Sequence, residues 1–249
     1  PRNRLYPLLK KIHLISNPRN LSTALMYSFA QRSDTQVVDE PFYGHYFKIR
    51  PDVEHPAKEE TLASMSTEAP EVVDKVIMAE YDKTVVFFKD MAHHLVAMKL
   101  DFMLPLINVF LIRNPHQLIA SIGQIMQHPE MEDIGSKKQF ELFKWLQESG
   151  KQPLVLDSGE LLKDQEEVMQ QLCVALEIPF EENMLHWEAG SRPEDGVWAK
   201  YWYANVHQST GFSKQSTSRR PLPEHLLPLY EEAKPYYEAL YEYAIKASG

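Results

Sequence analysis

Cysteine occurs once in this 249-residue chain, at Cys173, which excludes an internal disulfide framework and fits a reducing, cytoplasmic setting. Glycine is scarce as well, and none precedes Gly44. A phosphate loop of the NTP-hydrolase kind, Gly-x4-Gly-Lys-Ser/Thr, is therefore excluded from the N-terminal segment. No apolar run is long enough to cross a bilayer: residues 102–112 come nearest, and Pro105 and Asn108 interrupt them. Residues 1–4 read Pro-Arg-Asn-Arg ahead of any apolar segment, so no cleavable signal is expected. Basic residues are outnumbered, 26 Lys and Arg against 35 Asp and Glu, for a net charge of −9. That balance argues against general nucleic-acid binding, which needs a cationic surface. The ten histidines and Cys173 show neither Cys-x2-Cys nor His-Glu-x2-His spacing, and no metal is expected.

What is present is an ordinary folded composition, 44% apolar and 24% charged, with an uneven charge pattern. Residues 1–33 carry Arg2, Arg4, Lys10, Lys11, Arg19 and Arg32 and no acid at all. A second acid-free stretch, residues 196–223, holds Lys200, Lys214, Arg219 and Arg220. Two cationic segments in an acidic chain read either as a seat for a small anion or as chance clustering in surface loops. Short β-branched runs at residues 12–16, 35–38, 84–88, 106–112 and 153–156 alternate with helical spacing at 22–32, 93–100, 117–127, 139–148 and 166–176. Residues 223–247 read as helix broken at Pro228 and Pro235, and the polar stretch 48–70 as a mobile loop or lid. This pattern predicts one α/β domain over residues 1–249: three α/β/α layers, a central parallel sheet of about five strands and a helical C-terminal cap. Ligands of such sheets bind beyond the carboxyl ends of the strands.

Two strand ends carry chemistry. The first is followed by Pro18-Arg19-Asn20-Leu21-Ser22-Thr23, a strand-to-helix turn whose free N–H groups and helix dipole favour an anion, with Arg19 as fixed charge and two hydroxyls beside it. Read without function, it is a Ser/Thr helix cap. The fourth ends in Arg113-Asn114-Pro115 with Ser121 further along the helix, where Arg113 and Ser121 can share one phosphate. Its plainer reading is a capped strand end and a packed serine.

Together these segments resemble the nucleotide-binding signature of the sulfotransferases, a P-loop-like family that uses 3′-phosphoadenosine 5′-phosphosulfate as donor. Pro18 to Thr23 is similar to the family's turn around the 5′-phosphosulfate, and Arg113 to Ser121 matches its Arg-Asn/Asp-Pro-x5-Ser grip on the 3′-phosphate. The strand-turn-helix around Leu156 to Leu162 resembles a third family segment. The chain departs at Leu21, where the family has glycine, and at Ala24, where many members stack adenine on tryptophan; Trp202 or Phe212 is the substitute platform. The resemblance implies donor contacts from Arg19, Asn20, Leu21, Ser22, Thr23, Arg113 and Ser121, with Lys214, Arg219 and Arg220 as candidates for the C-terminal phosphate loop.

It also implies sulfuryl transfer to a hydroxyl of a small or lipid-like acceptor, with no metal and no membrane span. A base must take the acceptor proton while cations stabilise the leaving oxygen. Glu40, just past the second strand, and His93 or His94, following Lys89 at the third, are the alternatives for that base. Lys89 and Arg19 are the cations. A nucleotide-dependent kinase and a non-catalytic nucleotide-binding scaffold are the competing readings.

Overall fold

The apolar runs at the strand positions are too uniform for a half-exposed sheet, and they build one covered on both faces. The computed structural model describes residues 8–213 and 220–249. Strands β1 (Lys10–Ser16), β2 (Thr35–Asp39), β3 (Val85–Met91), β4 (Ile107–Ile112), β5 (Leu154–Asp157) and β6 (Ala244–Ile245) form one sheet in the order β2-β3-β1-β4-β5-β6. Every pairing is parallel. The helices are α1 (Ser22–Ala30), α2 (Tyr43–Ile49), α3 (Lys58–Ser64), α4 (Ala69–Val72), α5 (Pro115–Ile122), α6 (Met131–Ile134), α7 (Ser136–Glu148), α8 (Ser158–Lys163), α9 (Gln165–Ala175), α10 (Ala199–Trp202), α11 (Ala204–His207) and α12 (Leu227–Tyr241).

Side chains alternate across the sheet. Ile12, Leu14, Phe87 and Val109 meet Leu25, Met26 and Phe29 of α1 and Val168, Met169 and Leu172 of α9 on one face. Ile15, Phe88 and Phe110 meet Leu142, Phe143 and Leu146 of α7 on the other. On that second face His13 bridges the three central strands, 2.8 Å from Asp90 Oδ2 and 3.0 Å from Asn108 Oδ1. From β1 the chain steps outward to β2, and from β3 it crosses to β4 on the opposite side. The crevice between the ends of β1 and β4 is therefore the topological switch point of the sheet.

Several sequence expectations need correction. The sheet has a sixth strand, Ala244–Ile245, too short to leave a pattern and embedded in the stretch read as helix. Helix α12 runs unbroken through Pro235. Pro228 sits in its first turn, where a missing N–H costs nothing, and Ala233 and Leu240 are buried on either side of Pro235. The helix expected at residues 93–100 is only a 3₁₀ turn, Ala92–His94, because Ala97 takes a left-handed backbone, φ 50°, that no helix continues through. The stretch 48–70 contains α3 and is pinned by Ala57 and Thr61, both fully buried, while most of its other residues are exposed or half-buried. Among the described residues, no helix is long and apolar enough to cross a membrane.

Candidate functional site

Strand β1 delivers a turn that is held from three sides before α1 begins. Asn17, 1% exposed, donates from Nδ2 to the carbonyl of Ile134 at 2.6 Å. Asn20 donates to the carbonyl of Leu111 in β4 at 3.3 Å, and its Oδ1 accepts from the Leu21 amide at 2.8 Å. Between them Arg19 adopts a left-handed backbone, φ 56°, a conformation that costs an L-residue ~1–2 kcal/mol. The strain therefore falls on Arg19. Leu21 has an ordinary φ of −79°, and its side chain is buried with the α1 face of the core. The position the family fills with glycine does not need one here.

Strand β4 ends at Arg113, and Asn114 then caps α5 by accepting from the His116 amide at 3.0 Å. Arg113, 4% exposed, donates from Nη1 to the Arg19 carbonyl. Burial, and the positive charge of Arg19, push its guanidinium down to about 10. From the turn, Arg19 Nε donates to Ser121 Oγ at 3.1 Å. The structure thus brings Arg19, Arg113 and Ser121 together at the β1–β4 switch point.

The ends of β2 and β3 build a second, buried cluster beside the same turn. Lys89 Nζ lies 3.0 Å from Thr23 Oγ1, 3.1 Å from Asp39 Oδ1, 3.1 Å from Glu40 Oε2 and 2.6 Å from the Tyr203 hydroxyl. Glu40 is again left-handed, φ 42°, which turns its carboxylate back toward Lys89. Burial, together with the charge of Asp39, overrides the pull of Lys89 and pushes the Glu40 carboxyl up to about 7. Burial opposes the charge on Lys89, but Asp39 and Glu40 outweigh it and hold the ammonium above its usual range.

The two histidines fall on unequal ground. His94 stacks against Tyr43 and Tyr46, with centroids 4.3 and 4.8 Å away, and its Nδ1 lies 3.9 Å from Glu40 Oε1. His93 packs edge-on to Tyr46 at 5.0 Å. Neither Nδ1 has a hydrogen-bond partner. Burial, helped by nearby cationic groups, pushes His93 down to about 4 and His94 well below its ordinary value. Both are neutral at pH 7 and poor proton acceptors.

Of the remaining candidates, Lys214 and Arg219 lie outside the described residues, and Arg220 is exposed. Trp202 packs on His55, 5.1 Å between centroids. Phe212 sits edge-on to Trp187 and borders an open cleft of about 470 Å³ with Gln165, Asn205 and Gln208. Sequence reasoning passed over Asp39 and Tyr203. Neither lies in a recognisable motif, and they are 164 residues apart in the chain. No group of three or more metal-ligating side chains occurs among the described residues.

The parallel sheet thus carries cationic and hydroxyl side chains at its switch point, the place where ligands of such sheets bind. The chain belongs to the sulfotransferase domain family, whose model matches residues 10–244. Two Arabidopsis thaliana proteins, branched-chain-amino-acid aminotransferase-like proteins 1 and 2, are 39% and 38% identical to it over 92% and 93% of its length. The chain spans only 41% of each of those relatives. The fold is shared with the sulfotransferase domain from the curacin biosynthetic pathway, with a TM-score of 0.53, 15% identity, and 92% and 99% of the two chains covered. The sulfotransferase domain of the Synechococcus PCC 7002 olefin synthase is similar too, at TM-score 0.51 and 15% identity, covering 93% and 97%.

Proposed function

We propose that the chain transfers a sulfuryl group from 3′-phosphoadenosine 5′-phosphosulfate to a hydroxyl of a small or lipid-like acceptor. One observation carries this reading: a buried carboxyl poised near neutrality, Glu40, is joined through Lys89 to Thr23 of the anion-binding turn. Base, cation and donor seat are thus one hydrogen-bonded unit. The donor is anionic, and the residues at the switch point suit it: two guanidinium groups and the hydroxyls of Ser22, Thr23 and Ser121.

In the proposed mechanism the acceptor oxygen bonds to sulfur as the bond from sulfur to the bridging oxygen of the nucleotide breaks. Glu40 takes the acceptor proton, and a carboxyl that titrates near neutrality is suited to that task at pH 7. Lys89 and Arg19 stabilise the negative charge left on the bridging oxygen. Arg113 and Ser121 hold the 3′-phosphate, and Arg19, which touches Ser121, spans both ends of the donor. Cys173 is buried, and burial pushes its thiol up to about 11, which accords with a reduced structural cysteine in the cytoplasm.

Calorimetric titration with adenosine 3′,5′-bisphosphate, AMP and ATP tests the donor assignment without any acceptor. Charge-assisted hydrogen bonds contribute ~1.5–3 kcal/mol each, so the bisphosphate should bind on the order of 10²-fold more tightly than AMP. Arg113→Ala should remove most of that preference and leave AMP binding nearly intact. Equal binding of bisphosphate and AMP would sink the assignment, and tighter binding of ATP would favour a kinase.

A further inference from the structure

Asp39 and Tyr203 have no part in the mechanism above, yet both sit on the Lys89 ammonium. Asp39, the last residue of β2, accepts from Lys89 at Oδ1, and at Oδ2 from the Tyr203 hydroxyl at 2.7 Å and the Gly196 amide at 3.0 Å. Tyr203, between α10 and α11, accepts from Trp198 Nε1 at 3.0 Å and from Lys89 at 2.6 Å. Its single hydrogen goes to the nearer carboxylate, Asp39, because Glu40 Oε2 is further away at 3.1 Å.

The hydrogen inventory then has a consequence. An ammonium has three hydrogens, whereas Lys89 has four oxygens within reach: those of Asp39, Tyr203, Glu40 and Thr23. Tyr203, at 2.6 Å, engages one hydrogen, and Asp39, Glu40 and Thr23 of the turn after β1, at 3.0–3.1 Å, share the other two.

We propose that Asp39 and Tyr203 act together as positioning residues, anchoring the Lys89 ammonium between Thr23 of the turn after β1 and Glu40. The effect on turnover rests on the sulfuryl-transfer reading; the anchoring itself does not. The titratable and charged groups that face Glu40 are Asp39 of β2, Lys89 of β3, Tyr203, His94 in the turn after β3 and Tyr43 of α2. Replacing Asp39 by asparagine removes the neighbouring anion and releases Lys89 toward Glu40. Both changes make Glu40 easier to ionise.

Two measurements on the intact chain test the anchor, and neither needs a substrate. Infrared titration of the Glu40 carboxyl, with Glu40→Gln as the blank, should move to lower pH by about one unit in Asp39→Asn. Hydrogen exchange at the Lys89 ammonium, followed by nitrogen-15 NMR, should be slow in the unmodified chain. It should speed up at least about tenfold in Asp39→Asn and in Tyr203→Phe, with no further increase in the double variant, because the two act as one unit. Asparagine is isosteric with aspartate, and phenylalanine keeps the ring in place. A purely structural role would lower the melting temperature of both variants and leave the Lys89 ammonium exchanging as slowly as in the unmodified chain, which overturns the proposal. A fast-exchanging ammonium in the unmodified chain overturns it without any variant. Failure of the bisphosphate preference would instead remove the sulfuryl-transfer reading and leave the anchor standing.

Discussion

Arg19 Nε donates to the hydroxyl of Ser121 across 3.1 Å, tying the turn after β1 to the body of α5. The two segments that would grip opposite ends of the donor are therefore in direct contact with each other. Arg19 should matter most as charge builds on the leaving oxygen. Arg19→Ala is expected to lower turnover by ~10²–10³, by analogy with loss of one oxyanion donor, and donor affinity by less. Steady-state rates beside calorimetric affinities for adenosine 3′,5′-bisphosphate check this; an unchanged rate would remove Arg19 from the chemistry.

The same residue separates function from stability. Arg19→Ala and Arg19→Gly both delete the guanidinium, but only glycine is at ease at φ 56°. Denaturant unfolding should find the glycine variant more stable than the alanine variant by about 1 kcal/mol, although both are impaired as catalysts. Equal stabilities would mean that the turn relaxes in the alanine variant.

Glu40→Gln, His93→Asn and His94→Asn each remove a proton acceptor while keeping much of the polar shape. With Glu40 near 7 and both histidines neutral well below that, Glu40→Gln alone should lose ~10²–10⁴ in rate while still binding nucleotide. In the unmodified chain kcat/KM should rise with pH through about 7, because Glu40 accepts a proton only after it has lost its own. A profile that is flat across that range, or a dominant loss in either histidine variant, assigns the base elsewhere.

Restoring the family glycine at residue 21 should do harm. Leu21 is 7% exposed and packs in the core under α1, at a φ that leucine adopts freely. Leu21→Gly is expected to cost roughly 3 kcal/mol or more from the lost side chain and the looser backbone, with little effect on nucleotide affinity. Tighter nucleotide binding in Leu21→Gly would show that the leucine holds the turn away from its ligand.

Much of the fold was legible because β3 opens on Val85-Val86-Phe87-Phe88 and β4 is apolar but for Asn108, and a run buried on both faces can be read without knowing its partners. The turns at residues 18–23 and 113–115 were legible for a related reason, since each is a contiguous string at a strand end. Tyr203 was not. Its partner Asp39 lies 164 residues away, and nothing local distinguishes a tyrosine that ends on a buried carboxylate from one that merely packs. Which of Glu40, His93 and His94 is fit to take a proton also escaped the sequence, because burial decides that question and motif spacing does not report burial. Helix α12 misled in the opposite way: proline carries a strong local signal, and the packing of Ala233 and Leu240 overrides it.

The central place of β1 shapes how the chain must assemble. Ile12 pairs with Phe87 on one side and Ile107 on the other, so β1 completes its pairing only once the later β3 and β4 have joined it. Until then an apolar strand waits unpaired, the kind of segment that recruits other copies of itself. Lys10 and Lys11 stand at its head, and in the native state their ammonium groups tie off the carbonyls of Leu176 and Glu177 and those of Ile77 and Ala79. In the unfolded chain the same two charges flank that apolar stretch, where like charge opposes pairing with a second copy.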